Sequence, residues 1–263
     1  MEKQWALITG GSSGIGFAYA RVLAGYGYNL VIVSNEEQAI REKGVELETE
    51  YGVRVLALYR DLAVLGAAEQ VYAFCREREI EVEILINNAG IFYLGEVVEQ
   101  KEALTEKITL LHMNTPVMLC HLFGREMKSR GHGYILNMSS LSAWLPYPGL
   151  ALYSSTKRYL KHFSRAFRSE LYDYGVSVTA VCPGGVATNL YHISGRMLKL
   201  AIRSGFMMRP EKLARKGVRA MFRRRACVMP GFVNHLFLPL LLLLPAGFVR
   251  WCMRKTGILP KTK

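Results

Sequence analysis

Short apolar runs alternate with helical patterns along most of the chain, and this alternation constrains the fold more than any other feature. Runs at 5–9, 30–34, 53–59, 82–87, 133–138 and 177–182 read as strands, and stretches at 15–25, 36–51, 65–79, 102–130 and 153–174 read as helices. The strands are apolar almost throughout, the pattern of strands covered on both faces. Repeated strand–helix units of this kind predict an α/β fold, a doubly wound parallel sheet with helices on both sides. With 263 residues and 51% hydrophobic content the chain can bury one large core, and no linker or repeat divides it. The expected organisation is a single domain over 1–231, with a lid about 189–209, and an apolar, basic extension over 232–263.

The first strand runs straight into Thr9-Gly10-Gly11-Ser12-Ser13-Gly14-Ile15-Gly16, and a helix follows. Glycine in a strand–turn–helix lets the backbone approach a pyrophosphate and turns the helix N-terminus toward the anion. The spacing G-x-x-x-G-x-G differs from the common G-x-G-x-x-G, so the context carries the inference of a Rossmann-type dinucleotide site. At the end of the second strand an acidic residue would read the ribose of NAD, and a basic one would favour the 2′-phosphate of NADP. Ser34 and Asn35 are neither, and Glu36 and Glu37 suit the N-terminal turn of the next helix. The missing carboxylate favours NADP(H), with NAD(H) the alternative.

Tyr153-Ser154-Ser155-Thr156-Lys157 sets a phenol and an ammonium four residues apart, on one face of a helix. A neighbouring cation favours phenolate and lowers a tyrosine pKa from its ordinary ~10. The pair is then a proton donor and acceptor for reducing a carbonyl or oxidising an alcohol. Ser139-Ser140, Asn87-Asn88-Ala89-Gly90 and Pro183-Gly184-Gly185-Val186-Ala187-Thr188 all follow strand ends, where open α/β sheets bind ligands.

Over roughly residues 3–231 the ordered set T-G-x-x-x-G-I-G, N-N-A-G, N, S-S, Y-x-x-x-K and P-G-x-x-x-T resembles the short-chain dehydrogenase/reductase family. The resemblance implies an NAD(P)-dependent oxidoreductase interconverting a ketone and a secondary alcohol. It makes Tyr153 the acid/base, Lys157 the residue that lowers its pKa and binds the nicotinamide ribose, and Ser140 the group that holds the substrate carbonyl. Asn114, in His112-Met113-Asn114-Thr115-Pro116, matches the asparagine that positions a proton-relay water, although Pro116 departs from the pattern. The implied cofactor contacts are Thr9, Gly10, Ser12, Ser13, Gly14, Ile15, Gly16, Ser34, Asn35, Asp61, Leu62, Asn88, Ala89, Gly90, Tyr153, Lys157, Pro183, Gly184, Val186 and Thr188, with no metal. The family also implies a homodimer or tetramer through the two long helices. The competing class is a non-catalytic module that senses a dinucleotide, against which the complete Tyr153, Lys157 and Ser140 set speaks.

Phe92, Tyr93, Trp144, Leu145 and Pro146 follow two of these motifs, and the lid carries Asn189, Leu190, Tyr191, Met197, Leu198, Phe206, Met207 and Met208. Such apolar, adaptable surroundings predict a lipophilic substrate: a 3-oxoacyl chain, a 3-ketosphingoid base or a steroid-like ketone. The formal charge of +13 raises nucleic acid as a partner, but no reading motif or aromatic interleaving accompanies it, and none is expected. Residues 1–189 carry 18 basic and 20 acidic side chains, a net −2; residues 190–263 carry 16 basic ones and one acid, Glu211, a net +15. That excess surrounds the 19 residues 231–249, which lack any Asp, Glu, Lys or Arg but contain Pro239 and Pro245. Basic residues on both flanks favour peripheral membrane contact through 231–255 over a span, while packing on the protein itself stays open. Cys75, Cys120, Cys182, Cys227 and Cys252 form no C-x-x-C, and the apolar run from Trp5 leaves no room for a signal peptide. The expected setting is cytoplasmic, with contact on the cytoplasmic face of a membrane.

Overall fold

The apolar runs lie side by side in the computed structural model, which describes residues 4–188 and 195–255. Strands β1 (Trp5–Thr9), β2 (Asn29–Ser34), β3 (Val55–Tyr59), β4 (Val82–Asn87), β5 (Gly133–Met138) and β6 (Val176–Val181) follow the expected runs within two residues at each end. Two short strands, β7 (Gly185–Val186) and β8 (Met207–Met208), form a separate parallel pair, with β8 inside the stretch 189–209 expected as a lid. A last one, β9 (Cys227–Val228), completes a seven-stranded sheet in the order β3-β2-β1-β4-β5-β6-β9. All its pairings are parallel.

The helices are α1 (Gly14–Gly25), α2 (Glu37–Tyr51), α3 (Ala67–Arg76), α4 (Glu102–Thr109), α5 (Thr115–Arg130), α6 (Ala151–Leu171), α7 (Gly195–Arg203), α8 (Pro210–Phe222), α9 (Phe232–Leu243) and α10 (Ala246–Lys255). Every residue of β2, β4 and β6 is buried, because helices cover both faces of the sheet. Successive side chains alternate between two cores. Leu30 and Ile32 pack with Ile40 of α2, Leu23 of α1 and Leu213 of α8, while Val31 and Val33 pack with Val71 of α3 and Phe123 of α5.

One expectation needs correction. The single helix expected over 102–130 is two helices, α4 and α5, joined by a wide π turn at Leu110–Asn114. Such turns insert a residue into the helical phase and cluster at functional sites. Strand order reverses between β1 and β4, so crossovers leave that junction in opposite directions and open a crevice beyond the strands' carboxyl ends. The site lies there.

Candidate active site

The glycine loop leaves β1 with Gly10 at φ +69°, a left-handed conformation that side chains disfavour. A Cβ on Gly16 would come within 1.9 Å of the Gly10 carbonyl oxygen, so the loop can close on α1 only with glycine there. Thr9 fastens the loop to the neighbouring strand. Its Oγ1 donates to the Ile86 carbonyl and accepts from the Asn88 and Ala89 amides at 2.9 and 3.0 Å. The Asn88 side-chain amide in turn donates to the Thr9 carbonyl at 3.0 Å.

These loops border a cleft of about 730 Å³, within the range of small-molecule and cofactor sites. Its lining gathers Gly10, Ser12, Ser13, Gly14, Ile15, Ser34, Asn35, Asp61, Leu62, Asn88, Ala89, Gly90, Ser140, Tyr153, Lys157, Pro183, Gly184, Val186 and Thr188. Thr9 and Gly16 stand behind that surface, shaping the loop. The first turn of α1 and the glycine backbone thus face an elongated groove, the chemistry a pyrophosphate requires. A nicotinamide dinucleotide fits this donor set.

At the inner end, Lys157 is buried and its ammonium donates to the Met138 carbonyl at 3.1 Å. Burial lowers its pKa from 10.5 to about 8, the charge being poorly solvated there. The Lys157 ammonium lies 5.8 Å from the centre of the Tyr153 ring, and Phe92 packs edge-on against that ring at 5.0 Å. Ser140 caps a short 3₁₀ turn (Leu141–Trp144), its Oγ accepting from the Ser142 amide at 3.1 Å. The neighbouring Ser139 hydroxyl donates to the Lys157 carbonyl at 2.7 Å, tying β5 to α6.

Asn114 does not join this group. It is exposed at the start of α5 and outside the cleft lining. Two residues apart on a helix is more than half a turn, and the π turn sends His112 inward instead. His112 is buried, its ring centre 5.8 Å from that of Tyr153. The Ile91 amide donates to its Nε2 at 2.9 Å, so the hydrogen-bond network assigns the proton to Nδ1, which faces the Thr156 hydroxyl at 3.0 Å. Thr156 then donates to the Tyr153 carbonyl at 2.9 Å. Burial first, and the Lys157 charge second, push the His112 pKa well below its ordinary value, so the ring is neutral. A Cβ on Gly90 would lie 3.0 Å from His112 Nε2 and 3.4 Å from Lys157 Nζ, so glycine permits this close approach.

Glu36 also enters unannounced. Its backbone is not helical, and its amide donates to Ser34 Oγ at 3.1 Å. This turns the carboxylate into the cleft, where Ser12 Oγ donates to it at 2.6 Å and Ser34 Oγ donates to Ser12 at 2.9 Å. Asp61 accepts from the Ala63 amide at 3.0 Å and pairs with Lys107 at 3.6 Å on the same wall. Among the residues expected to border a substrate, Phe92 lines the cleft, whereas Trp144 lies under the Lys161 ammonium at 3.7 Å. Asn189, Leu190 and Tyr191 of the expected lid lie outside the described residues.

Comparison with known proteins agrees with this geometry. The family model for short chain dehydrogenases matches residues 4–197. The very-long-chain 3-oxoacyl-CoA reductase of Anas platyrhynchos is 31% identical over 196 residues, covering 72% of this chain and 62% of that protein. The inactive hydroxysteroid dehydrogenase-like protein 1 of Rattus norvegicus is 32% identical over 194 residues, covering 71% of this chain and 57% of that one. The match thus spans about six-tenths of the length of these curated relatives. A short-chain dehydrogenase from Sphingobium yanoikuyae in complex with NADPH superposes with a TM-score of 0.78 at 27% identity, covering 97% of this chain and 94% of that one. By sequence, by fold and by the loops gathered at its switch point, the chain belongs to the short-chain dehydrogenase family.

Proposed function

We propose that the chain is an NAD(P)(H)-dependent oxidoreductase that interconverts a ketone and a secondary alcohol on a lipophilic substrate. The observation that carries this is the convergence of Tyr153, Lys157 and Ser140 at the inner end of the cleft. When bound along the glycine loop, a nicotinamide dinucleotide supplies or accepts the hydride. The remaining work falls to the chain's own residues. Ser140 Oγ holds the carbonyl oxygen, and the Tyr153 hydroxyl gives that oxygen its proton in reduction or takes it in oxidation. Lys157 keeps a positive charge beside the phenol and favours its ionised form. His112 is the positioning residue, coupling the loop at Ile91 to the helix that carries Tyr153.

The same reading favours NAD(H). The preference for NADP(H) expected from the sequence rested on a missing carboxylate, and the Glu36 carboxylate on Ser12 would repel a 2′-phosphate while accepting from a ribose hydroxyl. Arg60 on the same wall keeps NADP(H) as the alternative. Phe92 on the cleft wall and Met207, packed against Gly185 beside it, support a lipophilic substrate of the 3-oxoacyl, 3-ketosphingoid or steroid-like class, and the family resemblance supports a dimer or tetramer built on α5 and α6. The non-catalytic dinucleotide sensor remains the alternative, and the relative from Rattus norvegicus is itself named an inactive dehydrogenase-like protein. Consumption of NADH and NADPH against panels of such ketones tests the proposal. Turnover that Tyr153→Phe abolishes while nucleotide binding survives supports it; nucleotide binding without turnover of any ketone favours the sensor.

A further inference from the structure

We propose that α9 and α10 form a docking surface for an anionic lipid bilayer, set beside the mouth of the cleft. Phe232, Leu236, Leu240 and Leu243 recur at helical spacing along one stripe of α9, and they are 81%, 56%, 55% and 79% exposed. Inward, Leu238 and Val249 hold the pair of helices to the protein. Exposed apolar surface of this extent marks an interaction site rather than ordinary surface. It continues past α9: the Phe237 ring meets the Phe206 ring at 5.5 Å, and Met197 and Leu200 of α7 are exposed.

Charge selects the occupant. Helices α9 and α10 carry Arg250, Arg254 and Lys255 and no acidic residue, so a second copy meeting this face would bring like charges together. Anionic headgroups instead complement it. The half-exposed Phe248 and Trp251 of α10 stack at 6.0 Å, with the Lys255 ammonium 4.4 Å from the Trp251 ring and the exposed Arg250 on the same helix. An aromatic pair flanked by cations is the composition of the headgroup layer.

Length and shape favour lying on the bilayer over crossing it. No single described helix is long and apolar enough to cross a membrane, and α9 and α10 are bent by 107° at the break before Ala246. The 12 residues of α9 rise only about 18 Å against a hydrocarbon core of about 30 Å. The pair also touches the site. The Tyr147 hydroxyl donates to the Leu241 carbonyl, and Asn234 packs against Gly184 of the cleft lining. A lipophilic substrate could pass from the bilayer to the cleft without crossing water, but docking itself does not depend on the catalytic reading.

Flotation of the full chain with vesicles tests the proposal. Binding to phosphatidylcholine vesicles containing phosphatidylserine should exceed binding to phosphatidylcholine alone and weaken with salt. Arg250→Glu with Lys255→Glu, both exposed, should weaken it about fivefold per residue removed or more. Leu236→Glu, Leu240→Glu and Leu243→Glu together should abolish it. A second readout uses the wild-type chain: brominated acyl chains should quench tryptophan emission, and quenching should largely vanish in Trp251→Phe. Equal binding to both vesicle types, or no quenching difference between wild type and Trp251→Phe, overturns the proposal. So does a dimer that the triple variant dissociates while the wild type ignores vesicles.

Discussion

Residues 4–188 and residues 195–255 handle apolar surface and charge in opposite ways. In the first region every side chain of β2, β4 and β6 is covered, and ion pairs such as Arg41–Glu37 and Lys107–Asp61 join elements or turns of helix. Its charges nearly cancel. In the second, α8 buries a face against α1, but α9 turns six large apolar residues outward amid a one-sided positive charge. The first region is complementary to itself and to a small anionic ligand. The second leaves an apolar face of α9 uncovered among the described residues. On the proposed reading, function divides accordingly: chemistry belongs to the first region and membrane docking to the second.

The largest test of that division is a double dissociation. Tyr153→Phe should lower turnover by a factor of about 10²–10⁴ or more and leave vesicle flotation unchanged. The triple glutamate variant in α9 should do the reverse, keeping turnover of a small, water-soluble ketone. A variant that loses both properties with its circular dichroism intact would join what the comparison separates.

Next in size is the pH dependence of stability set by the buried site of the first region. The folded Lys157 titrates near 8 against 10.5 when unfolded, so between these values the unfolded chain binds the extra proton. Stability should therefore rise with pH through that window, by at most about 3 kcal/mol, and Lys157→Met should flatten the rise. His112 acts at the other end. Its folded pKa is lowered, so its contribution is complete above the ordinary histidine range and is lost as pH falls through it. Replacing it by His112→Asn should remove that acid arm. Thermal melts across pH of the wild type and both variants check each arm.

The third contrast lies inside α9. Leu238 is buried and Leu236 half-exposed, two residues apart. Leu238→Ala should lower stability by about 2 kcal/mol, and Leu236→Ala by less than about 0.5 kcal/mol in the absence of lipid. Equal effects in a denaturant titration would mean that the outward stripe is packed in solution, and the comparison of the two regions would fail.

How much of this was legible depended on how locally each feature is encoded. The six long strands announce themselves by continuous apolar runs, and the Tyr153–Lys157 pair by helical spacing. Strand β9 has two residues, too few for any periodicity, and its place is set by β6 beside it. The inner histidine was obscured by phase. A regular helix over 102–130 gives no reason to prefer His112 to Asn114, and the π turn that decides between them has no distinctive composition. In retrospect the available signal was a histidine two residues before the asparagine, on a segment that had to pass beneath the cleft.

Glu36 illustrates the same limit at the cofactor end. By sequence it sits where an acidic residue suits a helix N-terminus, and nothing local says that its side chain turns away from α2. Two serines decide the matter: Ser34 accepts the Glu36 amide, and Ser12 donates to its carboxylate. Glu36→Ala removes the charge that would meet a 2′-phosphate and the acceptor that would meet a 2′-hydroxyl. The ratio of kcat/KM for NADH to that for NADPH should fall about tenfold, equivalent to roughly 1.4 kcal/mol. Glu36→Gln keeps an acceptor without charge and should fall between the two. An unchanged ratio would assign selection on this wall to Arg60, and a basic side chain, not the carboxylate, would then be what the nearly neutral region presents to its dinucleotide.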